Sequence, residues 1–165
     1  ERWAQKKLYE DNYPAMMTLS MRYAGNNDDA LDILHESFIK VFKNIHKYQT
    51  GTSINAWIRK IVINTSIDFY RRDLRRKSEE LDVASYVNTD IPDAVSNLSS
   101  EEILKALQRL PYSYRSVFNL YVIEGYSHKE IAEMMNINES TCRSNLVKAR
   151  TKLKDILLAF DSDWR

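Results

Sequence analysis

The stretch that decides the fold is Tyr126–Lys154, which reads YSHKEIAEMMNINESTCRSNLVKARTKLK. Ser127, followed three residues later by Glu130, has the form of a capping box, in which the two side chains satisfy free backbone N–H groups at a helix start. Gly125 suits the left-handed residue that ends a preceding helix. The stretch predicts a short helix that buries Ile131, Ala132 and Met135, a polar turn at 136–138, and a longer helix capped by Asn138.

The two sides of this longer helix differ in chemistry. Apolar residues recur in steps of three and four, which places them on one side of a helix: Cys142, Leu146, Ala149, Leu153 and Ile156. We expect the other side to carry Ser140, Arg143, Ser144, Val147, Lys148 and Thr151, with Asn145 and Arg150 on its flanks. Arginine and asparagine can reach base edges while lysine and serine hold phosphates, so this side is typical of a helix in a DNA groove. A helical hairpin with a solvated basic face is the alternative.

Composition favours an all-α chain without a membrane segment. The 165 residues, 44% of them hydrophobic, suffice for one ordinary domain or two small ones, and only three glycines and three prolines are present. No apolar run approaches the ~20 residues that cross a membrane, and the first residues lack a signal-peptide core. The lone cysteine, Cys142, excludes an internal disulfide and fits a reducing cytoplasm, and we expect it to serve packing.

Charge is unevenly distributed behind the net value of +1. Residues 54–77 hold seven basic and two acidic residues, whereas residues 78–102 hold seven acidic and no basic ones. A second basic segment, residues 139–154, has five basic residues and one acid. Two basic patches separated by an acidic belt indicate association with a polyanion.

The first part of the chain predicts a helical bundle. Residues 2–11 can form a helix, residues 11–14 with Pro14 read as a break or restart, and the helix resumes at 15–24. After a turn at 25–27, capped by Asn27 or Asp28, we expect a helix with an inner stripe of Leu31, Leu34, Phe38, Val41 or Phe42, and Ile45.

A long helix is predicted from Ile54 to about Lys77, after a polar loop at 48–53 in which Ser53 is the cap. Its apolar side is expected to hold Trp57, Ile58, Ile61, Thr65 and Phe69. A polar stripe of Lys60, Asn64, Asp68, Arg71 and Arg75 lies opposite, with Arg59, Arg72, Arg76 and Lys77 beside it. An aromatic, an amide and a basic row on one helix suit a surface that holds a nucleic-acid strand and unpaired bases. For Trp57 alone, plain core packing is the competing interpretation.

Residues 78–98 are acidic, contain Pro92 and lack periodicity, so we predict a linker there. Ser99 and Glu102 form a second capping box, followed by Ile103, Leu104, Leu107 and Leu110 at helical spacing. Pro111 is expected to begin a further helix that ends at Gly125. The second part is therefore predicted to be a four-helix unit ending in the stretch quoted above.

The two parts together resemble the extracytoplasmic-function (group IV) sigma factors of bacterial RNA polymerase, within the sigma-70 superfamily. The matching residues of the first part are Asp29 to Phe38, Trp57, Ile58, Ile61, Asn64, Asp68, Arg71 and Arg72. Those of the second part are Leu110, Pro111, Arg115, Glu124 to Ser127, Glu130 to Ala132, Thr141 to Ser144, Ala149, Arg150 and Leu153. The resemblance implies an all-α fold of two small domains, a region 2 bundle at 1–77 and a region 4 helix-turn-helix domain at 99–165, joined by the acidic linker at 78–98.

The resemblance also implies partners and contact residues. Core polymerase, through its large-subunit clamp helices and flap, promoter DNA and an anti-sigma protein are the expected partners. Asp32, His35 and Glu36 are the positions expected to bind polymerase, with Phe38 mainly in the core. Trp57, Lys60, Asn64, Arg71 and Arg72 are expected to contact the minus-ten strand. The expected minus-thirty-five contacts are Ser140, Thr141, Arg143, Ser144, Asn145, Val147, Lys148 and Arg150.

Some positions depart from the family pattern. His35 stands where the family often has glutamine and Cys142 where a β-branched residue is common, whereas Asn145 and Lys148 replace frequent arginines. Because the last two lie in the reading helix, promoter preference does not transfer from relatives.

The sequence shows no metal-ligand cluster, glycine-rich phosphate loop or nucleophile–base pair, so we predict a non-enzymatic chain without metal or cofactor. Two other functions remain open from the residues. One is a conventional helix-turn-helix regulator with an N-terminal sensing domain. The other is a helical module whose basic helices hold an acidic partner.

Overall fold

The computed structural model describes residues 1–77 and 99–162, with side chains described for 1–75 and 99–160. These residues are helices and short connections without a β-strand, which confirms the predicted all-α class. The chain divides into two compact units, Glu1–Asp73 and Leu74–Arg165, and each is described by itself. The predicted linker, residues 78–98, lies outside the described residues, and the domain boundaries drawn from the sequence remain a prediction.

Unit 1 contains three helices: α1 (Arg2–Tyr23), α2 (Asn27–Asn44), which runs into a 3₁₀ turn (Ile45–Lys47), and α3 (Ile54–Lys77). Each contributes fully buried apolar side chains to the core, including Leu19, Ile33 and Ile58. The hydroxyl of Tyr70 on α3 accepts a hydrogen bond from the Gly25 N–H (2.7 Å) and donates one to the Asp29 carboxylate (3.1 Å). The long helix is thereby tied to the turn between the other two.

Helix α1 is continuous, so the predicted break at Pro14 was wrong. A proline inside a helix removes one N–H donor and leaves the carbonyl four residues earlier without its partner. That carbonyl belongs to Glu10, an exposed residue, where water can solvate it. The helix is held on both sides of Pro14 by packing, since Tyr9 meets Phe38 edge-on at 4.9 Å and Met16 and Leu19 are buried.

The N-cap of α2 is Asn26, one residue before Asn27 and two before Asp28, the two predicted caps, and its side chain accepts from the Asp29 N–H at 2.8 Å. Its buried stripe is Ala30, Ile33, Leu34, Ser37, Phe38 and Val41. Leu34, Phe38 and Val41 were predicted correctly, but Leu31 and Ile45 are 36% and 41% exposed. Ser37 occupies a core position because its hydroxyl donates to the Ile33 carbonyl at 2.6 Å. Because the sequence pattern treats serine as outward-facing, the predicted buried side of α2 is rotated away from the observed one.

Unit 2 contains α4 (Ser100–Arg109), α5 (Tyr112–Phe118), a π-helical turn (Asn119–Ile123), α6 (His128–Met135) and α7 (Glu139–Ser162). Helix α7 packs against α4, α5 and α6. Its distal half joins α4 in a buried apolar cluster of Ala106, Leu107, Leu110, Ala149, Leu153 and Leu157. Both predicted capping boxes are confirmed, Ser99 with Glu102 and Ser127 with Glu130.

The helix predicted to end at Gly125 does so through a widened last turn. The Glu124 N–H donates to the Asn119 carbonyl, five residues back, at 2.9 Å, and the Tyr126 N–H donates to the Leu120 carbonyl at 2.9 Å. Gly125 has φ +79°, the left-handed conformation that glycine adopts without a Cβ penalty. This turn sets the direction in which the chain enters α6.

Candidate nucleic-acid interface

A helix-turn-helix is formed by α6, the turn at 136–138 and α7. Ile131, Ala132 and Met135 are buried, as predicted, so α6 presents its apolar side to the unit's interior. Asn136 takes the left-handed conformation (φ 54°) that ends α6, and the Ile137 N–H donates to the Ala132 carbonyl at 3.0 Å. Helix α7 starts at Glu139, so Asn138 occupies the predicted cap position.

The first half of α7 has one buried and one accessible side. Cys142, Leu146 and Ala149 are buried, which fixes the orientation of the helix. The sequence-predicted contact residues are accessible: Ser140, Thr141, Arg143, Ser144, Val147 and Arg150 are exposed, and Asn145 and Lys148 are half-buried. The structure thus brings these eight residues together on the accessible side of one helix.

Thr151 was predicted to lie on the outward side, but it is only 8% exposed. Its hydroxyl donates to the Val147 carbonyl at 3.1 Å, and this bond allows threonine to occupy a buried position. The outward side therefore ends about one turn earlier than the polarity pattern indicates.

Arg143 is held in place before any ligand arrives. Its Nη2 atom lies 3.0 Å from Oε2 of Glu139, one helical turn earlier. Both side chains are accessible, 58% for Arg143 and 45% for Glu139. An acid four residues before a base is the favourable order for such a pair on a helix. The guanidinium is oriented by this carboxylate while its remaining donors stay accessible.

Cys142 is fully buried, as its predicted packing role requires. Its Sγ atom lies 3.2 Å from Nδ1 of His128, whose ring stacks on Tyr121 at 4.4 Å. Burial raises the pKa of the Cys142 thiol, with smaller opposing effects of the nearby Arg143 and Glu139 charges. A Tyr–His–Cys column thus connects the π-helical turn, α6 and α7, a contact that no sequence spacing indicated.

Helix α3 presents most of its predicted polar stripe to solvent. Lys60, Asn64 and Asp68 are exposed, as is the neighbouring Arg72, whereas Arg71 is half-buried. The predicted apolar side is only partly right. Ile58 and Thr65 are buried, Trp57, Ile61 and Phe69 are half-buried, and the sequence prediction missed Val62, Ile63, Ser66, Ile67 and Tyr70.

Trp57 is supported by the loop that precedes α3. Its ring lies 5.7 Å from that of Tyr48, whose hydroxyl donates to the Thr52 carbonyl. The Ser53 hydroxyl accepts from the Ala56 N–H at 3.2 Å, so Ser53 caps α3 as predicted. Trp57 is half-buried, and part of its ring remains accessible beside the polar stripe.

The predicted polymerase-binding residues of α2 differ in accessibility. Asp32 and His35 are exposed, whereas Glu36 is half-buried between two cations. Oε2 of Glu36 lies 2.7 Å from Nη2 of Arg72 on α3, and Oε1 lies 3.0 Å from Nζ of Lys40. Glu36 and Arg72, which sequence analysis assigned to different surfaces, therefore bind each other.

No cluster of three or more histidine, cysteine, aspartate or glutamate side chains suited to a metal occurs in the described part of the chain. No helix within the described ranges is long and apolar enough to cross a membrane.

Comparison with known proteins matches both units. The family model described as "Sigma-70 region 2" matches residues 8–76, and "Sigma-70, region 4" matches residues 100–153. The chain is 32% identical over 163 residues to the ECF RNA polymerase sigma factor SigE of Mycolicibacterium smegmatis, covering 95% of this chain and 63% of that relative. It is 31% identical over 134 residues to the RNA polymerase sigma factor SigZ of Bacillus subtilis, covering 79% and 75%.

A solved structure shares the fold. The sigma factor RpoE of Bartonella quintana, in complex with the anti-sigma factor NepR, superposes with a TM-score of 0.56 over 92% of this chain and 95% of that chain, at 21% identity. On the two family matches and the SigZ relationship, the chain belongs to the sigma-70 family of RNA polymerase sigma factors, and it is similar to relatives named ECF sigma factors.

Proposed function

We propose that this chain directs core RNA polymerase to specific promoters and starts transcription by recognising minus-thirty-five and minus-ten elements and aiding strand opening. The single observation that carries the proposal is the accessible side of α7, where arginine, lysine, serine and asparagine project from a helix anchored by buried Cys142 and Leu146. The proposal treats residues 1–77 as region 2, 78–98 as a linker and 99–165 as region 4. The chain acts in the cytoplasm, and not as an enzyme, since it lends specificity to the polymerase that it joins.

Duplex reading is assigned to α7. Arg143 and Asn145 have donors suited to purine edges in the major groove, and Ser140, Ser144 and Lys148 suit phosphates. Thr141 and Val147 add methyl groups that can meet a thymine, and Arg150 extends the basic side. Support comes from their common accessible side.

Strand contact is assigned to α3. Lys60, Asn64, Arg71 and Arg72 line the accessible side of a 24-residue helix, and Trp57 adds an aromatic surface on which an unpaired base can stack. The pairing of Trp57 with Tyr48 supports a rigid platform, because a side chain held in one orientation loses little entropy on binding.

Polymerase docking is assigned to the exposed side of α2. Asp32 and His35 are exposed there, and the exposed Leu31 and Ile39 flank them with apolar surface. Glu36 lies on the same helix, but its carboxylate is engaged within the chain. An anti-sigma protein is a further proposed partner, since the Bartonella sigma factor of like fold is described in complex with one.

Run-off transcription with core polymerase on a genomic promoter library, with and without this chain, tests the function. Chain-dependent transcripts that share two upstream elements are expected. Arg143→Ala should then reduce minus-thirty-five recognition by ~1–3 kcal/mol at one base position, whereas Lys148→Ala should weaken all sequences alike. Promoter selection by Arg143→Ala that is unchanged from that of the wild-type chain would contradict the assignment of α7.

The alternative function, a conventional helix-turn-helix regulator, makes a different prediction. Such a protein would bind an operator tightly without polymerase, and its N-terminal half would bind a ligand. Fluorescence anisotropy of the free chain on promoter duplex, with and without core polymerase, separates the two. Tight binding unchanged by polymerase would favour the regulator.

A further inference from the structure

The feature that the proposed function leaves unexplained is the group of charges centred on Glu36. Its two carboxylate oxygens are both engaged, one by Arg72 at 2.7 Å and the other by Lys40 at 3.0 Å. Lys40 also donates to the hydroxyl of Thr65, a buried residue of α3, at 3.2 Å. Glu36 therefore connects α2 to α3 at two points, directly through Arg72 and through Lys40.

The exposures of the three side chains indicate what each can still contact. The Glu36 side chain is 30% exposed and Lys40 is 37% exposed, whereas Arg72 is 58% exposed. An arginine has five N–H donors in a rigid planar fork, and the contact of Arg72 with Glu36 uses Nη2. Arg72 can thus be anchored by Glu36 and still present donors to a phosphate.

The carboxylate, by contrast, is poorly placed for an outside partner. Two charged donors already neutralise the Glu36 carboxylate, so a polymerase cation gains less there than at an unpaired acid. Burial by itself would raise the pKa of Glu36, but hydrogen bonds and charges from Arg72 and Lys40 hold it below its ordinary value. The acid is therefore ionised and occupied at neutral pH.

We propose that Glu36 is a positioning residue for strand capture: it holds the Arg72 guanidinium on the DNA-facing side of α3 and does not itself bind polymerase. The inference rests on the proposed function. Orienting a long side chain in advance removes an entropy cost from the step in which it is used. Removal of Glu36 should thus slow opening without weakening polymerase binding.

The test uses holoenzyme reconstituted from core polymerase and the full chain at saturation. The variants are Glu36→Gln, Arg72→Gln, the double variant and Lys40→Gln, which removes the second cation but leaves the Glu36–Arg72 pair. Glu10→Gln is the matched control, because it removes a glutamate from an exposed ion pair on α1, with Lys6 at 3.7 Å. Permanganate reactivity of unpaired thymines gives the opening rate, and competition with labelled wild-type chain gives core affinity.

Glu36→Gln is expected to slow opening by roughly 3- to 10-fold, within the range of coupling found for contacting pairs, and to keep core affinity within about twofold. Arg72→Gln should be at least as slow, and the double variant no slower than Arg72→Gln. Lys40→Gln and Glu10→Gln should open at nearly the wild-type rate.

Four results would overturn the inference. Two concern Glu36→Gln itself, which would either lose core affinity or open promoters at the normal rate. The others are opening defects of Glu36→Gln and Arg72→Gln that multiply in the double variant, and a defect in Lys40→Gln equal to that in Glu36→Gln, which would indicate a general effect on packing. Failure of the wild-type chain to open any promoter would overturn the proposed function together with the inference. Normal opening by both wild-type and Glu36→Gln would overturn the inference alone.

Discussion

Arg115 offers a demanding test of how unit 2 is held together. This arginine is only 3% exposed, and its Nη1 atom donates to the carbonyls of Gln108 (3.1 Å) and Leu110 (3.0 Å). Those carbonyls lie at the end of α4, where the last C=O groups of a helix have no intrahelical partner. Arg115→Met keeps an unbranched apolar stem but removes the guanidinium and, with it, these two hydrogen bonds.

The magnitude follows from the surroundings of the two carbonyls. The Leu110 carbonyl is in a buried contact, so losing its charged donor should cost about 2 kcal/mol, because a buried acceptor is left without that bond. Gln108 is half-buried, and water can partly replace the donor at its carbonyl, so about 1 kcal/mol or less is expected there. We expect unit 2 to lose about 2–3 kcal/mol in its free energy of unfolding.

Hydrogen exchange followed by mass spectrometry resolves the two units, which a single melting curve would blend. Slowly exchanging amides of α4 and α7 should exchange roughly 30- to 150-fold faster in Arg115→Met. Amides of α1 to α3 should be unchanged. Lys105→Met is the control, because Lys105 makes an exposed ion pair with Glu101 at 2.9 Å that should contribute less than about 0.5 kcal/mol.

The reasoning would be refuted by an acceleration below about threefold in α4 and α7, since the carbonyls would then need no charged donor. It would equally be refuted if Lys105→Met matched Arg115→Met. In that case any removal of positive charge near α4 would have the same effect, and the buried geometry would be irrelevant.

Three further outcomes are expected. Ser127→Ala should destabilise unit 2 by about 1 kcal/mol, seen as faster exchange at the start of α6, because the serine hydroxyl caps the Glu130 N–H at 3.1 Å; no change would contradict the cap. Alkylation of Cys142 by iodoacetamide should be at least roughly tenfold slower than that of a free thiol at the same pH, since its Sγ atom is buried and burial raises its pKa; a rate equal to that of a free thiol would be inconsistent with a buried thiol. The pKa of Glu36 is lowered, so its contribution to the stability of unit 1 should be complete above the ordinary glutamate pKa of about 4.3 and be lost as pH falls through the lowered value. Acid unfolding should accordingly be less steep below that pH in Glu36→Gln, and identical acid curves would argue against the ion pair.

The elements that the sequence predicts well are those with local chemical signals. Both capping boxes and the left-handed Gly125 depend on residues within four positions of one another, and all three are present in the structure. Over the first three turns of α7, the spacing of the apolar residues alone also predicts which side is buried and which is accessible. Local rules succeed there because the buried residues of this part of α7 all lie on one side of the helix.

The wrong predictions share a physical cause. In each case the surrounding structure stabilises a residue in a position that its own local preference disfavours. Pro14 lies inside α1 because packing against α2 holds the helix together on both sides. Ser37, Ser66 and Thr151 occupy buried positions by bonding to the carbonyl four residues earlier, so polarity misled the assignment of faces. The sequence pattern treats such residues as outward, and only three-dimensional neighbours correct it.

The interface was predicted as a set of residues but not as a set of partners. The eight α7 residues are together and accessible, but the prediction did not use the four-residue spacing of Glu139 and Arg143, which is the local signal for their pairing. The pairing of Glu36 with Arg72 joins positions 36 residues apart, a separation at which spacing carries no information. Roles carried over singly from the family could not reveal that two of them are coupled.

These pairings explain how a chain of net charge +1 can suit sequence-specific binding. Arg143 and Arg72, one at each proposed DNA contact, both face a glutamate of their own unit, at 3.0 and 2.7 Å. Each carboxylate already compensates part of its arginine's charge, so counterion release yields less affinity for arbitrary sequence than two free arginines would give. Binding to a base edge in the matching geometry loses less affinity, because the guanidinium is already oriented for that contact. We therefore expect these two ion pairs to weaken attachment to random DNA more than attachment to a matching promoter.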